Sequence, residues 1–322
     1  MAVTLKNILK QRYLKEDLEC YAQKLYLRGT WDLRKDELAE KIANQLLLTN
    51  VMMQRLGVLT NQQITLFERA IDTAFRPSKT ELRIAQQLDE LDYAIITKEG
   101  LLVVADDVKV VYKRISTRAF HEKRKKIAWL RKCLYFCENF HAIAPVDIIH
   151  KAYRRKPQYK ISKKEFLILF NQIPDDLKHS VVFSDEIFYI PFTQKGMWQK
   201  LQKLQADVVE YYIPPHRMVE YFWKHGNLAN EQVYQRINIF FQTNGDVSDD
   251  KAESITCEIW KYMHFDGELG KIMEQTEIKN IRLENKLAAQ QLKHLLREAK
   301  RHTRTLSRKG FTELELEGAK QL

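Results

Sequence analysis

Apolar side chains recur every three to four residues over much of the chain, which is the spacing of amphipathic helices. The first such stripe predicts a helix over roughly 11–26. Its apolar positions are Leu14, Leu18, Tyr21, Ala22 and Leu25. Gly29 can then adopt the left-handed conformation that ends a helix, and Asp32 is the predicted N-cap of the next helix. The second stripe consists of Leu38, Ile42, Ala43 and Leu46.

The segment 51–116 shows a different pattern, in which helices precede a short hairpin. A helix is predicted at about 61–75, and a capping box at 78–81 predicts the start of another. Residues 93–97 and 101–104 then predict two strands, joined by a turn that contains Gly100.

The segment 117–192 repeats this layout. Its predicted elements are helices at about 124–140 and 146–154, a capping box at 162–165 that starts a third helix, and strands at 181–183 and 187–190. Three helices followed by a hairpin is the order of a winged helix, whose third helix can enter the major groove. Winged helices also serve as protein–protein modules, so the order alone leaves both uses open.

Residues 193–322 show helical patterns only. The predicted spans are about 197–211, 215–225, 230–243, 248–264 and 268–306. In the predicted helix 268–306, residues at alternating spacings of three and four form a seam along one face. They are Ile278, Ile281, Asn285, Ala288, Leu292, Leu295 and Ala299. An Asn in such a seam can fix the register of a paired coil, which predicts a weak homodimer through the 278–299 helix. The off-seam positions Leu283, Leu287 and Leu296 widen the stripe, which favours packing on the protein's own bundle instead.

Together these patterns predict a mainly α fold. It consists of a small helix–loop–helix module at 1–50, two winged-helix-like α+β units at 51–116 and 117–192, and a C-terminal helical domain at 193–322 with a long final helix. The chain has only 10 glycines and 7 prolines, and this scarcity favours helices over a many-turned all-β fold.

The net charge of +11 is concentrated in three segments. Lys109–Lys132 holds ten basic residues against one acid, Lys151–Lys164 holds seven and no acid, and Glu277–Gly310 holds ten against three. Concentrated positive charge suits an anionic partner such as a phosphate backbone. A solvated helix face is the alternative explanation for any single run.

Spaced leucines with one glycine run through the first module. The positions are Leu14, Lys15, Leu18, Ala22, Leu25, Leu27, Gly29, Leu33, Arg34, Lys35, Glu37, Leu38 and Ile42. They resemble the SAP motif and the N-terminal domain of the transcription terminator Rho, which commonly accompany nucleic-acid proteins. The resemblance implies that Arg28, Arg34 and Lys35 meet phosphates near the N-terminus of the second helix. A docking or capping module is the alternative.

The order of modules also resembles bacterial proteins of unknown function that join a Rho-type module to winged-helix units. Some of these end in a cysteine-rich zinc tail, which is not carried over because no cysteine follows Cys257.

The candidate nucleic-acid-binding residues lie mainly in the second winged-helix-like unit. They are Lys151, Arg154, Arg155, Lys156, Lys160, Lys163 and Lys164, together with Arg297 and Arg301 of the final helix. The first winged-helix-like unit, at 51–116, is less suited to DNA. Its third helix runs into Asp89, Glu90 and Asp92, whose negative charges repel phosphate.

The sequence carries no glycine-rich phosphate loop and no HExxH, GxSxG or CxxC motif, so no enzyme and no cofactor are expected. Cys133, Cys137 and His141 share a helical spacing but lack a fourth ligand, which favours buried thiols over zinc. The acid pairs at 106–107, 175–176 and 249–250 are predicted to cap helices rather than to transfer protons.

The N-terminus lacks the apolar core of a secretory signal, and no apolar stretch is long enough to cross a membrane. Four scattered cysteines do not form a disulfide framework, so a cytoplasmic location is expected. The function that these inferences favour is that of a nucleic-acid-associated regulatory or architectural protein, with DNA or RNA as partner. The alternative is a protein-interaction adaptor with no nucleic-acid activity.

Overall fold

The computed structural model describes residues 3–194, 196–275, 277–283 and 285–319. These residues form a mainly helical fold, which confirms the predicted class. They divide into two compact units. The first comprises the described residues up to Arg131 together with Lys164–Lys178, and the second comprises Lys132–Lys163 and the described residues from His179 onward.

The helices and strands of the described residues are, in chain order, α1 (Leu5–Arg12), α2 (Lys15–Lys24), α3 (Lys35–Leu46), α4 (Thr49–Leu56), α5 (Asn61–Asp72), α6 (Leu82–Asp89), β1 (Ala94–Ile96), β2 (Leu102–Val104), α7 (Asp106–Ile115), α8 (Arg118–Phe140), β3 (Ile143–Pro145), α9 (Val146–Arg154), α10 (Lys163–Asn171), β4 (Ser180–Phe183), β5 (Glu186–Tyr189), α11 (Met197–Leu204), α12 (His216–His225), α13 (Gln232–Asn244), α14 (Asp249–His264), α15 (Ile272–Gln275), α16 (Lys286–His302) and α17 (Glu313–Ala319). Short 3-10 turns lie at Asp175–Leu177, Ile190–Thr193, Leu269–Lys271 and Glu277–Asn280.

The first predicted helix, over roughly 11–26, corresponds to α2, and the sequence did not predict α1 before it. The chain breaks between them because the Asp17 carboxylate accepts the backbone N–H of Leu14 at 3.0 Å and starts α2 there. The next helix begins at Lys35, since Glu37 accepts the N–H of Arg34 at 2.8 Å. Asp32 is therefore not its N-cap. Gly29 has the expected left-handed backbone, with φ +62°, but it does not end α2, whose C-cap is Leu25.

A single hydrophobic core runs through the first unit, from Leu5 in α1 to Phe120 in α8. Leu18 of α2 and Leu38 of α3 are fully buried in the same core as Phe67 of α5. The two helices that the sequence assigns to a separate module therefore bury their apolar faces in a core shared with the segment that follows.

The first unit contains a buried ion pair. Arg55 in α4 is 2% exposed, and its Nη1 donates to Oδ2 of Asp176 at 2.6 Å. The other terminal guanidinium nitrogen lies 3.4 Å from the hydroxyl of Tyr21. A charge removed from either partner would leave the other desolvated and uncompensated.

Both predicted hairpins are confirmed. β1 pairs antiparallel with β2, and β4 pairs antiparallel with β5 around a turn at Ser184 and Asp185, whose φ angles are +48° and +66°. The sequence did not predict β3, which adds to the second hairpin in the order β3-β5-β4. Three residues that end in a proline are too short for an alternating pattern to be recognised.

The predicted helix over 268–306 is wrong as one continuous element, although Thr276 and Glu284 lie outside the described residues. α16 begins only at Lys286, because Asn285 is extended and its side chain accepts the N–H of Ala288 at 2.9 Å. Its buried stripe consists of Ala288, Leu292, Leu295, Leu296 and Ala299. This stripe packs against α13 in the same unit. The homodimer through this helix stays a prediction.

Candidate nucleic-acid interface

Four exposed cations lie at and just beyond the end of α9: Lys151, Arg154, Arg155 and Lys160. We call them the α9 patch. The helix buries its opposite face through Val146, Ile149, Ala152 and Tyr153. Lys151 and Arg154 lie in its last turn, where the carbonyl ends of the backbone favour positive charge. Among the described residues, no carboxylate forms an ion pair with these four side chains.

Two other cations of the same run are paired, so the prediction of a run without neutralising acids is wrong for them. Lys156 is 2.6 Å from Glu220 of α12. Lys163 is 2.7 Å from Asp185 and 3.1 Å from Asp147, and hydrogen bonds to these two carboxylates raise its pKa. These acids lie outside the run in the sequence, so a count of charges within the run does not include them.

Lys164 is exposed in the first turn of α10 and has no ion pair among the described residues. It belongs to the first unit, whereas the α9 patch belongs to the second. The structure therefore does not group Lys164 with the α9 patch.

In the N-terminal module, Arg28 and Arg34 are exposed and Lys35 is half-buried. Acidic side chains of the chain itself already occupy the N-terminus of α3, where Glu37 accepts a hydrogen bond from the N–H of Arg34. Hydrogen bonds from Lys10 and Lys6 lower the pKa of the neighbouring Asp36 to about 2. These carboxylates weaken the case for a phosphate at this helix end.

The two candidate residues of α16 differ. Arg297 is exposed and has no ion pair among the described side chains. Arg301 lies 2.5 Å from Glu317 and 3.5 Å from Glu313, both on α17. Arg301 is therefore partly neutralised within the second unit.

The first basic run contributes exposed cations that were not singled out as site residues. Lys113, Arg114, Arg118 and Lys123 are exposed on α7 and α8 without an ion pair in the part of the chain that the structure describes. Their signal was the charge density of 109–132. The same run contains Arg124, which is 2% exposed and donates to the carbonyl of Leu59 at 2.6 Å. A basic run thus mixes binding candidates with structural arginines.

The groups considered for metal binding are buried inside the second unit. Cys133 and Cys137 are almost inaccessible, and burial raises the pKa of both thiols. His141 is completely buried, which lowers its pKa to about 4, although the backbone of Tyr212 favours its charged form. Neither ring nitrogen has a hydrogen bond of normal geometry. Among the described residues, no three His, Cys, Asp or Glu side chains are grouped to hold a metal ion.

Two of the three acid pairs lie in the first turn of an α-helix, as the sequence predicted. The Asp107 carboxylate accepts the N–H of Leu5 at 3.1 Å, and Asp106 lies with it in the first turn of α7. Asp249 and Asp250 occupy the first turn of α14. Asp176 differs, because it pairs with Arg55.

The second unit also holds a cleft of about 840 Å³ that sequence analysis missed. Its apolar walls come from the β4–β5 hairpin, the 3-10 turn after it, α11 and the segment that follows α11. Among the residues that line it are Phe183, Phe188, Phe192, Trp198, Tyr211 and Lys309. We call it the apolar cleft. The aromatic residues at 183, 192 and 198 were its signal in the sequence.

Among the described residues, no helix is both long enough and apolar enough to span a membrane. Comparison of the chain with models of known protein families, with curated protein sequences and with solved structures gives no match. Any functional conclusion therefore rests on the residues themselves.

Proposed function

We propose that this chain is a nucleic-acid-associated regulatory or architectural protein that binds the phosphate backbone. The observation that carries the proposal is the α9 patch, in which four exposed cations stand without a carboxylate partner among the described residues. Unpaired surface cations repel one another, and an anionic partner relieves that repulsion.

The surroundings of the patch in the chain support this proposal. The order α8, β3, α9, α10, β4, β5 along the chain is consistent with the winged helix that the sequence predicts. Such folds commonly bring a helix and a hairpin to a nucleic acid. The SAP-like pattern of the first module is consistent with the same class of partner, although its helix end carries Asp36 and Glu37.

The mechanism is phosphate neutralisation. Each Lys or Arg that meets a phosphate releases counterions from the nucleic acid, so affinity depends steeply on salt and weakly on sequence. Contacts of this kind position a protein and carry no sequence information by themselves. Lys156 and Lys163 contribute less, because Glu220, Asp147 and Asp185 already neutralise them.

The test replaces Lys151, Arg154, Arg155 and Lys160 together by Gln in the full chain. Affinity for labelled duplex DNA, single strands and structured RNA, measured by fluorescence anisotropy at about 100 mM salt, should fall at least tenfold on whichever nucleic acid binds. The fold should persist, because all four side chains are exposed.

A matched control replaces four other exposed lysines of the second unit, Lys200, Lys203, Lys224 and Lys261, by Gln. The net charge changes equally in the two variants. A comparable loss in both would show that only the overall charge matters and would refute the α9 patch as the interface. Absence of binding by the unmodified chain would favour the adaptor function.

A further inference from the structure

The apolar cleft has the dimensions and lining of a small-molecule site. Its volume of about 840 Å³ falls within the range typical of such sites. All of its lining residues belong to the second unit. The rings of Phe183 and Phe188 meet edge to face with centroids 6.4 Å apart, which gives one wall a defined shape.

One cation lines this cleft without a counter-ion. The Lys309 ammonium lies 4.6 Å from the centre of the Tyr211 ring, and no carboxylate of the described residues forms an ion pair with it. Burial lowers the pKa of Lys309. The ammonium is thus partly desolvated, and its positive charge is stabilised by the face of the Tyr211 ring. An ion pair with a bound anion would stabilise this charge further.

The backbone fixes this lysine in an unfavourable conformation. Lys309 has φ +48° and Gly310 has φ +82°, so two consecutive residues are left-handed. The Lys309 carbonyl accepts the N–H of Tyr212 at 3.1 Å, and its own N–H donates to Leu306 at 3.1 Å. A left-handed backbone is uncommon for a residue other than glycine, and these two hydrogen bonds hold Lys309 in it.

We propose that the apolar cleft binds a small amphipathic anion, with a flat aromatic body between the hairpin and α11 and a carboxylate or sulfonate at Lys309. Glu186 also lines the cleft and forms no ion pair with Lys309. It opposes an anion electrostatically. Removing the charge of Lys309 should therefore weaken the binding of an anion, and removing the charge of Glu186 should strengthen it.

The test uses two fluorescent probes with related aromatic bodies, anilinonaphthalene sulfonate and the uncharged N-phenylnaphthylamine. The full chain should bind both saturably. Lys309→Gln should weaken the sulfonate at least tenfold, Glu186→Gln should strengthen it, and neither should change the neutral probe more than about twofold. Lys309→Arg should retain sulfonate binding, and Lys200→Gln, outside the cleft, should have no effect.

Three outcomes would overturn the proposal. One is the absence of saturable binding of either probe by the unmodified chain. Another is an equal loss of both probes in Lys309→Gln, which would indicate a structural role for the lysine. The third is a dimer in sedimentation that Val209→Glu dissociates, since Val209 is 88% exposed at the cleft and the cleft would then be a protein interface.

Discussion

Asp176→Asn is expected to lower the free energy of unfolding of the first unit by about 3–5 kcal/mol. The substitution removes the carboxylate that lies 2.6 Å from the buried Arg55 guanidinium. Arg55 is 2% exposed, so water cannot replace the lost partner. The arginine stays charged, because its side chain does not release a proton in proteins. Urea titration followed by circular dichroism measures the loss.

The neighbouring residue provides the control. Asp175 is 2.7 Å from Lys178, but its side chain is 60% exposed, so Asp175→Asn should cost no more than about 1 kcal/mol. The double variant Arg55→Met with Asp176→Leu should recover much of the loss, because it leaves no buried charge unpaired. Equal effects of Asp175→Asn and Asp176→Asn would disprove the burial argument.

Acid is expected to destabilise the second unit through His141. Its pKa is about 4 in the folded chain, against an ordinary value of about 6.5. The unfolded chain therefore binds more protons between these values, and stability present above about pH 6.5 is lost as the pH falls toward 4. At about pH 5 the loss amounts to about 2 kcal/mol.

His141→Leu isolates this contribution, since leucine is similar in volume and does not titrate. The difference in unfolding free energy between variant and unmodified chain should shift by about 2 kcal/mol in favour of the variant between about pH 7.5 and pH 5. His294→Leu, at an exposed position of α16, should show no such shift. A pH-independent difference for His141→Leu would mean that the histidine is not held neutral.

Glu231 changes the stability of the second unit with pH in the opposite direction to His141. Burial raises its pKa to about 7, so it contributes stability at low pH that is lost as the pH rises toward 7. Because Glu231 is present in both proteins, its contribution cancels in the difference between His141→Leu and the unmodified chain.

Local patterns predicted much of the secondary structure. The α9 helix and the two hairpins follow from spacing and turn residues, and they occur where the sequence placed them. The errors lie where a polar side chain interrupts an apolar stripe. Asp17 starts α2 at Lys15, later than the predicted start at about residue 11, and Asn285 starts α16 within a stripe that predicted one continuous helix.

Side chains that depend on distant partners could not be predicted. Asp176 meets Arg55 from 121 positions away, and Lys156 meets Glu220 from 64 positions away. The apolar cleft likewise brings Lys309 to the aromatic residues of a distant hairpin. The exposure of Lys151 and Arg154 in the α9 patch was predictable, because a short amphipathic helix fixes which face is buried.

The central claim is that the chain binds nucleic acid through phosphate contacts. The most direct measurement is the affinity of the full chain for a labelled duplex of mixed sequence, with single-stranded DNA and structured RNA in parallel, between about 50 and 200 mM salt. If the α9 patch makes the contacts, the logarithm of the association constant should fall linearly with the logarithm of salt concentration, with a slope of about −3 to −4 on duplex DNA. No binding to any of the three at about 50 mM salt, or binding that does not change with salt, would contradict it.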